Sequence, residues 1–225
     1  MWFLVTYRRP ELARRFVDAA IATEVSTSGV MFVQGDKAGY DFALPKGWLR
    51  AIASRNVGLV AGLNMCQRQY PEEPWYGLVA DDLIPETPHW DRRLLERLQP
   101  MGIVSCNDGN RPYAGGRMCG STILDGALVR AAGFLSPPVC WHSYTDDWWE
   151  TVGTTFSCWQ RLADVVVRHE TPVFGDRPAD STHNEAYGSK YERLQQDKTA
   201  YEKWMADDGM KALGRIAIER ARRKS

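Results

Sequence analysis

The sequence predicts an α/β fold, a mainly parallel sheet with helices on both faces. Short apolar runs end at Gly or Asp, segments of helical periodicity separate them, and this β-α-β-α alternation fills the front two thirds of the chain. Residues 2–7 are the first apolar run and read as a buried strand. Pro10, a favoured first helical residue, follows, and Leu12, Phe16, Ala19 and Ala20 then recur at helical spacing. Gly29 breaks that pattern, and Val30-Met31-Phe32-Val33 is a second strand closed by Gly35-Asp36. Residues 45–69 carry Trp48, Ile52, Leu59, Val60 and Leu63 and read as helical, with a break near Asn56. Tyr76-Gly77-Leu78-Val79-Ala80 is a third strand that stops at Asp81-Asp82. Trp90 to Leu98 reads as a short helix and Ile103 to Cys106 as a fourth strand. Residues 118–124 look extended and 125–132 helical, with Gly133 placed to cap the end. From 187 the chain turns polar and helical, which divides it into a domain over 1–186 and a helical extension over 187–225 packed on it.

The 225 residues suit one elaborated domain. The 28 basic and 28 acidic residues cancel, and 44% hydrophobic content excludes a disordered or fibrous chain. A neutral chain has no global field with which to coat nucleic acid. Charge is nevertheless uneven: Lys211, Arg215, Arg220, Arg222, Arg223 and Lys224 face only Glu219 near the end of the chain. That stretch is either a solvated helical end or a contact for an anionic partner. Cys66, Cys106, Cys119, Cys140 and Cys158 are odd in number and form no CxxC, which disfavours a zinc ribbon or a disulfide frame and suits a reducing cytoplasm. No apolar run reaches membrane-spanning length. The start, Met1 to Arg9, places apolar residues before charges and lacks a cleavage site, unlike a signal peptide.

Ligands of such sheets bind beyond the carboxyl ends of the strands, where Asp36 and Asp81-Asp82 fall. Two adjacent carboxylates repel each other and lose hydration when covered, and a divalent cation removes both costs. Hard oxygen ligands suit Mg²⁺ or Mn²⁺, which also hold phosphate; an exposed acidic turn is the other reading. Neighbouring residues of a strand point to opposite faces, so one carboxylate can take a metal while the other reaches a ribose. In Tyr144-Thr145-Asp146-Asp147-Trp148-Trp149-Glu150, Thr145 can cap a helix that starts at Asp146. The acids there are either first-turn residues favoured by the helix dipole or a general base for a hydroxyl. Trp148 and Trp149 are core, or a platform for a flat ring. His169, after the apolar run 163–167, and His183, in a polar loop, are structural or third metal ligands. His89 and His142 have weaker context. Gly115-Gly116 and Gly120-Ser121 are turn glycines or points of close backbone approach to a substrate. There is no P-loop, GxGxxG, GxSxG or HExxH.

Together these features resemble the nucleotide-sugar glycosyltransferases of the GT-A (Rossmann-like) fold, particularly the inverting family 2 type, over roughly residues 2–185. Val5-Thr6-Tyr7-Arg8-Arg9-Pro10-Glu11-Leu12 looks like that family's first strand and turn, which receive the nucleotide, and implies donor contacts from Thr6, Tyr7 and Arg9. Gly77 to Pro85 is similar to its DxD strand end, with Ala80 in place of the first acid. The resemblance implies metal binding by Asp82 and a ribose or metal role for Asp81. Gly120-Ser121-Thr122-Ile123-Leu124 through Gly133-Phe134 looks like the strand and helix beside the donor sugar. Asp146-Asp147 sits where the family carries an acidic pair, which implies Asp147, then Asp146, as base. Residues 165–183 resemble the late strand and loop that offer a histidine to the metal, His169 ahead of His183. Asp36, by its place at a strand end, and Trp148, as a platform for a ring, are the further candidate donor contacts. The implied reaction is an inverting, Mn²⁺- or Mg²⁺-dependent transfer from a nucleotide-diphosphate sugar, a UDP-sugar first, to an acceptor hydroxyl. The acceptor is a hydroxylated base in DNA, reached through the basic end, or a cell-surface glycan. A nucleotidyltransferase and a non-catalytic nucleotide-binding module are the rival classes.

Overall fold

The first strand, β1 (Trp2–Tyr7), buries Phe3 and Val5 on one face and Trp2 and Leu4 on the other. A strand apolar on both faces needs cover on both, and the chain supplies it. The computed structural model describes residues 1–109, 118, 121–172, 176–187 and 192–224. After β1 come α1 (Pro10–Ala22), β2 (Gly29–Gln34), β3 (Trp48–Ala53), α2 (Leu59–Gln69), β4 (Trp75–Val79), β5 (Leu83–Pro85) and α3 (Trp90–Leu95). Then follow β6 (Ile103–Asn107), β7 (Thr122–Asp125), α4 (Gly126–Ala132), α5 (Thr145–Thr155), β8 (Trp159–His169), α6 (Ser181–Tyr187), α7 (Glu192–Trp204) and α8 (Met210–Lys224). A π-helical turn, Met205–Gly209, joins α7 to α8.

The strands form one mixed sheet in the order β3-β2-β1-β4-β7-β6-β8-β5. Strands β1, β2, β3, β4, β6 and β8 point one way, and β7 and β5 run against them. The core is split by the sheet. Phe16 and Val17 of α1 and Trp90 and Leu94 of α3 pack on the Trp2–Leu4 face. Helices α2, α4, α5 and α8 cover the other, with Leu63, Leu128, Trp149 and Ile216 buried there. Gly77 lets β1 and β4 approach: a Cβ at this position would stand 2.1 Å from the Trp2 indole.

Two local readings change. Residues 48–53 are a parallel strand, not helix. Trp48 and Ile52 are four apart, a spacing that keeps one face in a strand as well as in a helix, so periodicity alone does not separate the two. Trp48 settles it by lying under Gly29 and donating its indole N–H to the Thr27 carbonyl at 3.0 Å. Helix α5 starts at Thr145 itself, with Tyr144 as N-cap at a φ of 73°. The Thr145 hydroxyl therefore does not cap; it meets Ser136 Oγ at 2.5 Å.

The basic end of the chain is structural in position. Arg215 donates to the carbonyls of Ala131 and Ala132, and Arg220 to those of Met101 and Phe156. Met101 and Phe156 precede β6 and β8, so this end of α8 lies at the amino edge of the sheet. Lys211 pairs with Asp207 and Asp208, and Arg222 and Arg223 share Glu219.

One carboxylate of helix α7 organises the backbone it packs against. Asp197, 4% exposed, accepts the backbone N–H groups of Trp141 at 2.8 Å and of His142 and Ser143 at 2.9 Å. Asp197→Ala leaves three part-buried donors unmatched and should cost about 3 kcal/mol, a fall in Tm of roughly 6–12 °C by calorimetry.

Candidate functional site

The carboxyl ends of the co-directed strands converge on a cavity of about 650 Å³. Thr6 and Tyr7 reach it from β1, Gln34 from β2, Asp81 and Asp82 from the end of β4, Asp108 from β6 and His169 from β8. The first turn of α5, with Asp146 and Asp147, forms another wall, and Thr182, His183 and Glu185 of α6 line it too.

Asp81 and Asp82 leave β4 in different directions. Asp81 accepts the Thr6 hydroxyl at 2.7 Å and Arg9 Nη1 at 3.3 Å. Asp82 turns to β8 and the segment before α6, meeting His169 Nε2 at 3.3 Å and Arg177 Nη2 at 3.2 Å. Both carboxylates are buried, at 5% and 9% exposure. Burial pushes the Asp81 carboxyl up to about 6 against the pull of Arg9, with the Asp82 charge adding to the rise. Burial acts on Asp82 in the same sense, but the hydrogen bond and charge of His169, with Arg9 and Arg177, hold it well below the usual carboxylate range. The two therefore titrate as a unit in which Asp82 keeps the negative charge.

Asp180 closes the network. It is the N-cap of α6, accepting the His183 N–H at 2.7 Å, and it also takes Arg9 Nη2 and Arg177 Nη1, both at 2.9 Å. Thr182 donates to the Tyr7 carbonyl at 3.0 Å, and Glu185 meets Arg8 at 3.6 Å and Asn56 Nδ2 at 3.1 Å. Polar contacts thus fasten a helix of seven residues across the segments that follow β1 and β3. The Arg9 Nε–H is buried and meets no hydrogen-bond acceptor among the described residues, donor capacity that an anionic ligand can use.

The first turn of α5 is set by its neighbours. The Tyr144 ring stacks on Tyr201 of α7 at 4.8 Å, and Asp197 holds the preceding backbone. Asp146 is exposed and Asp147 half-buried at the cavity wall. His142 lines the same wall; burial, then the Arg9 charge, lowers its imidazole to about 4, so it is neutral near pH 7. Burial, then Arg9 and Arg177, also lower His183.

Thr6, Tyr7, Arg9, Asp81, Asp82, Asp146, Asp147, His169 and His183 all meet at this cavity. Three expected residues do not. Asp36 lies past the end of β2, where it accepts the Ala38 N–H at 2.9 Å; Gln34 is the β2 residue that faces the cavity. Trp148 is fully buried among Phe134, Trp149 and Trp204, so it is core and not a platform for a ring. Ser121 is fully buried and does not line the cavity, whereas Met118 and Thr122 do. Gly115, Gly116 and Gly120 lie outside the described residues. Arg177, Asp180 and Asp197 escape a reading of the sequence, because each stands in a polar stretch and gains its role from partners 54 to 171 positions away.

Among the described residues, no group of three or more His, Cys, Asp and Glu is gathered to hold a metal. A cage is not required. Mg²⁺-type ions are commonly held by one or two carboxylates plus substrate phosphates, and Asp82 beside His169 offers a carboxylate and an imidazole with open space next to them. The donor set fits such an ion.

No protein-family model and no curated protein matches the chain in sequence. Solved structures do match in shape. A mannosyltransferase from Pyrobaculum calidifontis, in complex with GDP-Man and Mn²⁺, is 15% identical, with 98% of this chain and 79% of that one covered at a TM-score of 0.57. Glucosyl-3-phosphoglycerate synthase from Mycobacterium tuberculosis, with Mn²⁺ and UDP-glucose, is 11% identical over 88% and 78%, TM-score 0.56. The catalytic domain of Drosophila β1,4-galactosyltransferase 7, with xylobiose, is 12% identical over 88% and 78%, TM-score 0.56. The chain has the GT-A fold of the nucleotide-sugar glycosyltransferases.

Proposed function

We propose that the protein is a metal-dependent, inverting glycosyltransferase that moves a sugar from a nucleotide-diphosphate donor to an acceptor hydroxyl. The observation that carries this is the Asp82–His169 pair facing the Asp146–Asp147 turn across one cavity. Neighbours of the same fold bind Mn²⁺ and GDP-Man or UDP-glucose, which supports the donor class.

Asp82 and His169 are the residues that would hold Mn²⁺ or Mg²⁺, which when bound supplies positive charge to the donor diphosphate and the departing nucleotide. Asp81 has lone pairs left beyond its Thr6 and Arg9 contacts and accepts a ribose hydroxyl. Tyr7, Gln34 and Asn56 border the end of the cavity that takes the base. Asp147 accepts the acceptor's proton as its oxygen attacks the anomeric carbon from the face opposite the diphosphate; Asp146 is the second choice. No covalent sugar–enzyme bond is needed.

The acceptor reading favoured here is a carbohydrate hydroxyl. A DNA acceptor drew on the basic end of the chain, yet Lys211, Arg215, Arg220, Arg222 and Arg223 are engaged in packing and ion pairs, and Arg220 sits at the edge of the sheet opposite the cavity. Among the described residues no helix is long and apolar enough to cross a membrane. A nucleotidyltransferase wants a glycine-rich loop after the first strand. Here only Arg8 and Arg9 separate β1 from α1.

A thermal-shift screen of UDP- and GDP-sugars with and without Mn²⁺ tests donor and metal together. At 100-fold excess over Kd the matching donor should add about 2.7 kcal/mol of stability, only with Mn²⁺, and Asp82→Ala should lose the effect. An unchanged shift in Asp82→Ala overturns the metal assignment. For the base, Asp147→Asn should lower kcat by about 10²–10⁴ with donor Kd unchanged, measured by nucleotide release in the presence of acceptor. Full turnover in Asp147→Asn with loss in Asp146→Asn would move the role by one residue.

A further inference from the structure

Two buried guanidinium groups serve Asp82, and they differ in what else holds them. Arg9 is anchored by Asp81 Oδ1 at 3.3 Å and Asp180 Oδ1 at 2.9 Å and stands 3.9 Å from Asp82. Neither of those anchors involves Asp82. Arg177 meets Asp82 Oδ2 directly, at 3.2 Å through Nη2. Its Nη1 is held by Asp180 Oδ2 at 2.9 Å and its Nε by the Glu170 carbonyl at 2.8 Å. Its side chain is 11% exposed, so the cation is largely out of bulk water, and Asp82 and Asp180 are the two carboxylates that compensate it.

An ion seated on Asp82 beside His169 puts two positive charges against the carboxylate that Arg177 neutralises. Like charges in a part-buried site repel, so ion and guanidinium compete for Asp82. A donor diphosphate delivers new anionic oxygens to the same place. Arg177 can then turn about its Asp180 contact and move Nη2 from Asp82 to a phosphate oxygen, a pairing that suits its planar fork.

We propose that Arg177 is a built-in counter-cation of Asp82 that passes to the donor diphosphate when a divalent ion takes Asp82, a role that rests on the donor-site reading above. It keeps the empty site near neutrality, holds metal affinity low until the nucleotide arrives, and binds the diphosphate in the loaded state. Metal and nucleotide are thereby coupled through a residue that gives up Asp82 to the ion and takes a phosphate oxygen instead.

The test is isothermal titration of the full chain with Mn²⁺ alone, with UDP or GDP alone, and with Mn²⁺ at saturating nucleotide. Arg177→Gln should bind Mn²⁺ alone about tenfold more tightly than wild type, because its competitor is gone, and should bind nucleotide with Mn²⁺ about fivefold more weakly. Arg177→Lys keeps the charge and should leave Mn²⁺ affinity close to wild type. A merely structural arginine predicts the reverse sign for Arg177→Gln, so unchanged or weaker Mn²⁺ binding overturns the proposal. Arg177→Met, which keeps the aliphatic stem, gives the same comparison if Arg177→Gln folds poorly. Asp82→Ala separates the two levels: Mn²⁺ binding that survives in it, or none in wild type under either condition, brings down the donor-site reading and this role together. Asp82-dependent binding without the Arg177→Gln increase brings down this role alone.

Discussion

Two carboxylates side by side at the end of a buried strand have to be compensated, and much of the site's architecture answers that demand. Asp81 and Asp82 are almost fully buried. An uncompensated buried charge costs several kcal/mol, and breaking one partner of such a pair typically costs about 3–5 kcal/mol. The chain meets the demand with four side chains drawn from both ends of the sequence. Thr6 and Arg9 come from the first strand and turn, His169 from the end of β8, and Arg177 from the segment before α6. Asp180 then balances the two arginines and caps α6 with the same carboxylate.

This compensation is polar and adjustable, which suits a binding site better than an apolar plug would. A buried network of ion pairs adds little net stability over a well-packed apolar core, yet it can exchange partners without opening the fold. Each carboxylate already faces a cation, so an incoming ion or phosphate replaces a charge partner instead of entering a dry pocket. The sheet supplies the rigidity. Six co-directed strands bring their carboxyl ends to one edge, and both faces are covered by helices packed through large apolar side chains.

The C-terminal helices divide two tasks. Helix α7 shapes the cavity wall: Asp197 fixes the backbone of 141–143, and Tyr201 stacks against the residue that starts α5. Helix α8 closes the sheet's helical face with Ala212 and Ile216 and spends Arg215 and Arg220 on otherwise open carbonyls. Those two arginines are long donors that reach across a packed interface while their stems cover apolar surface.

The sequence by itself determined the α/β alternation, most element positions and the strand-end location of Asp81-Asp82, because buried strands and amphipathic helices are periodic and local. Position at a helix start and a strand end brought Asp147 and His169 forward as candidates, and the family resemblance added Thr6 and Arg9. The sequence alone misread 48–53 because a spacing of four serves both periods, and it placed Asp36 and Trp148 at the site because strand ends and aromatic pairs look alike whether they face a ligand or a core. Only the tertiary structure decided that Arg177, Asp180 and Asp197 belong to the machinery. Their partners lie 95, 171 and 56 positions away, and an ion pair or a capping bond between such distant segments leaves no periodic trace in the chain.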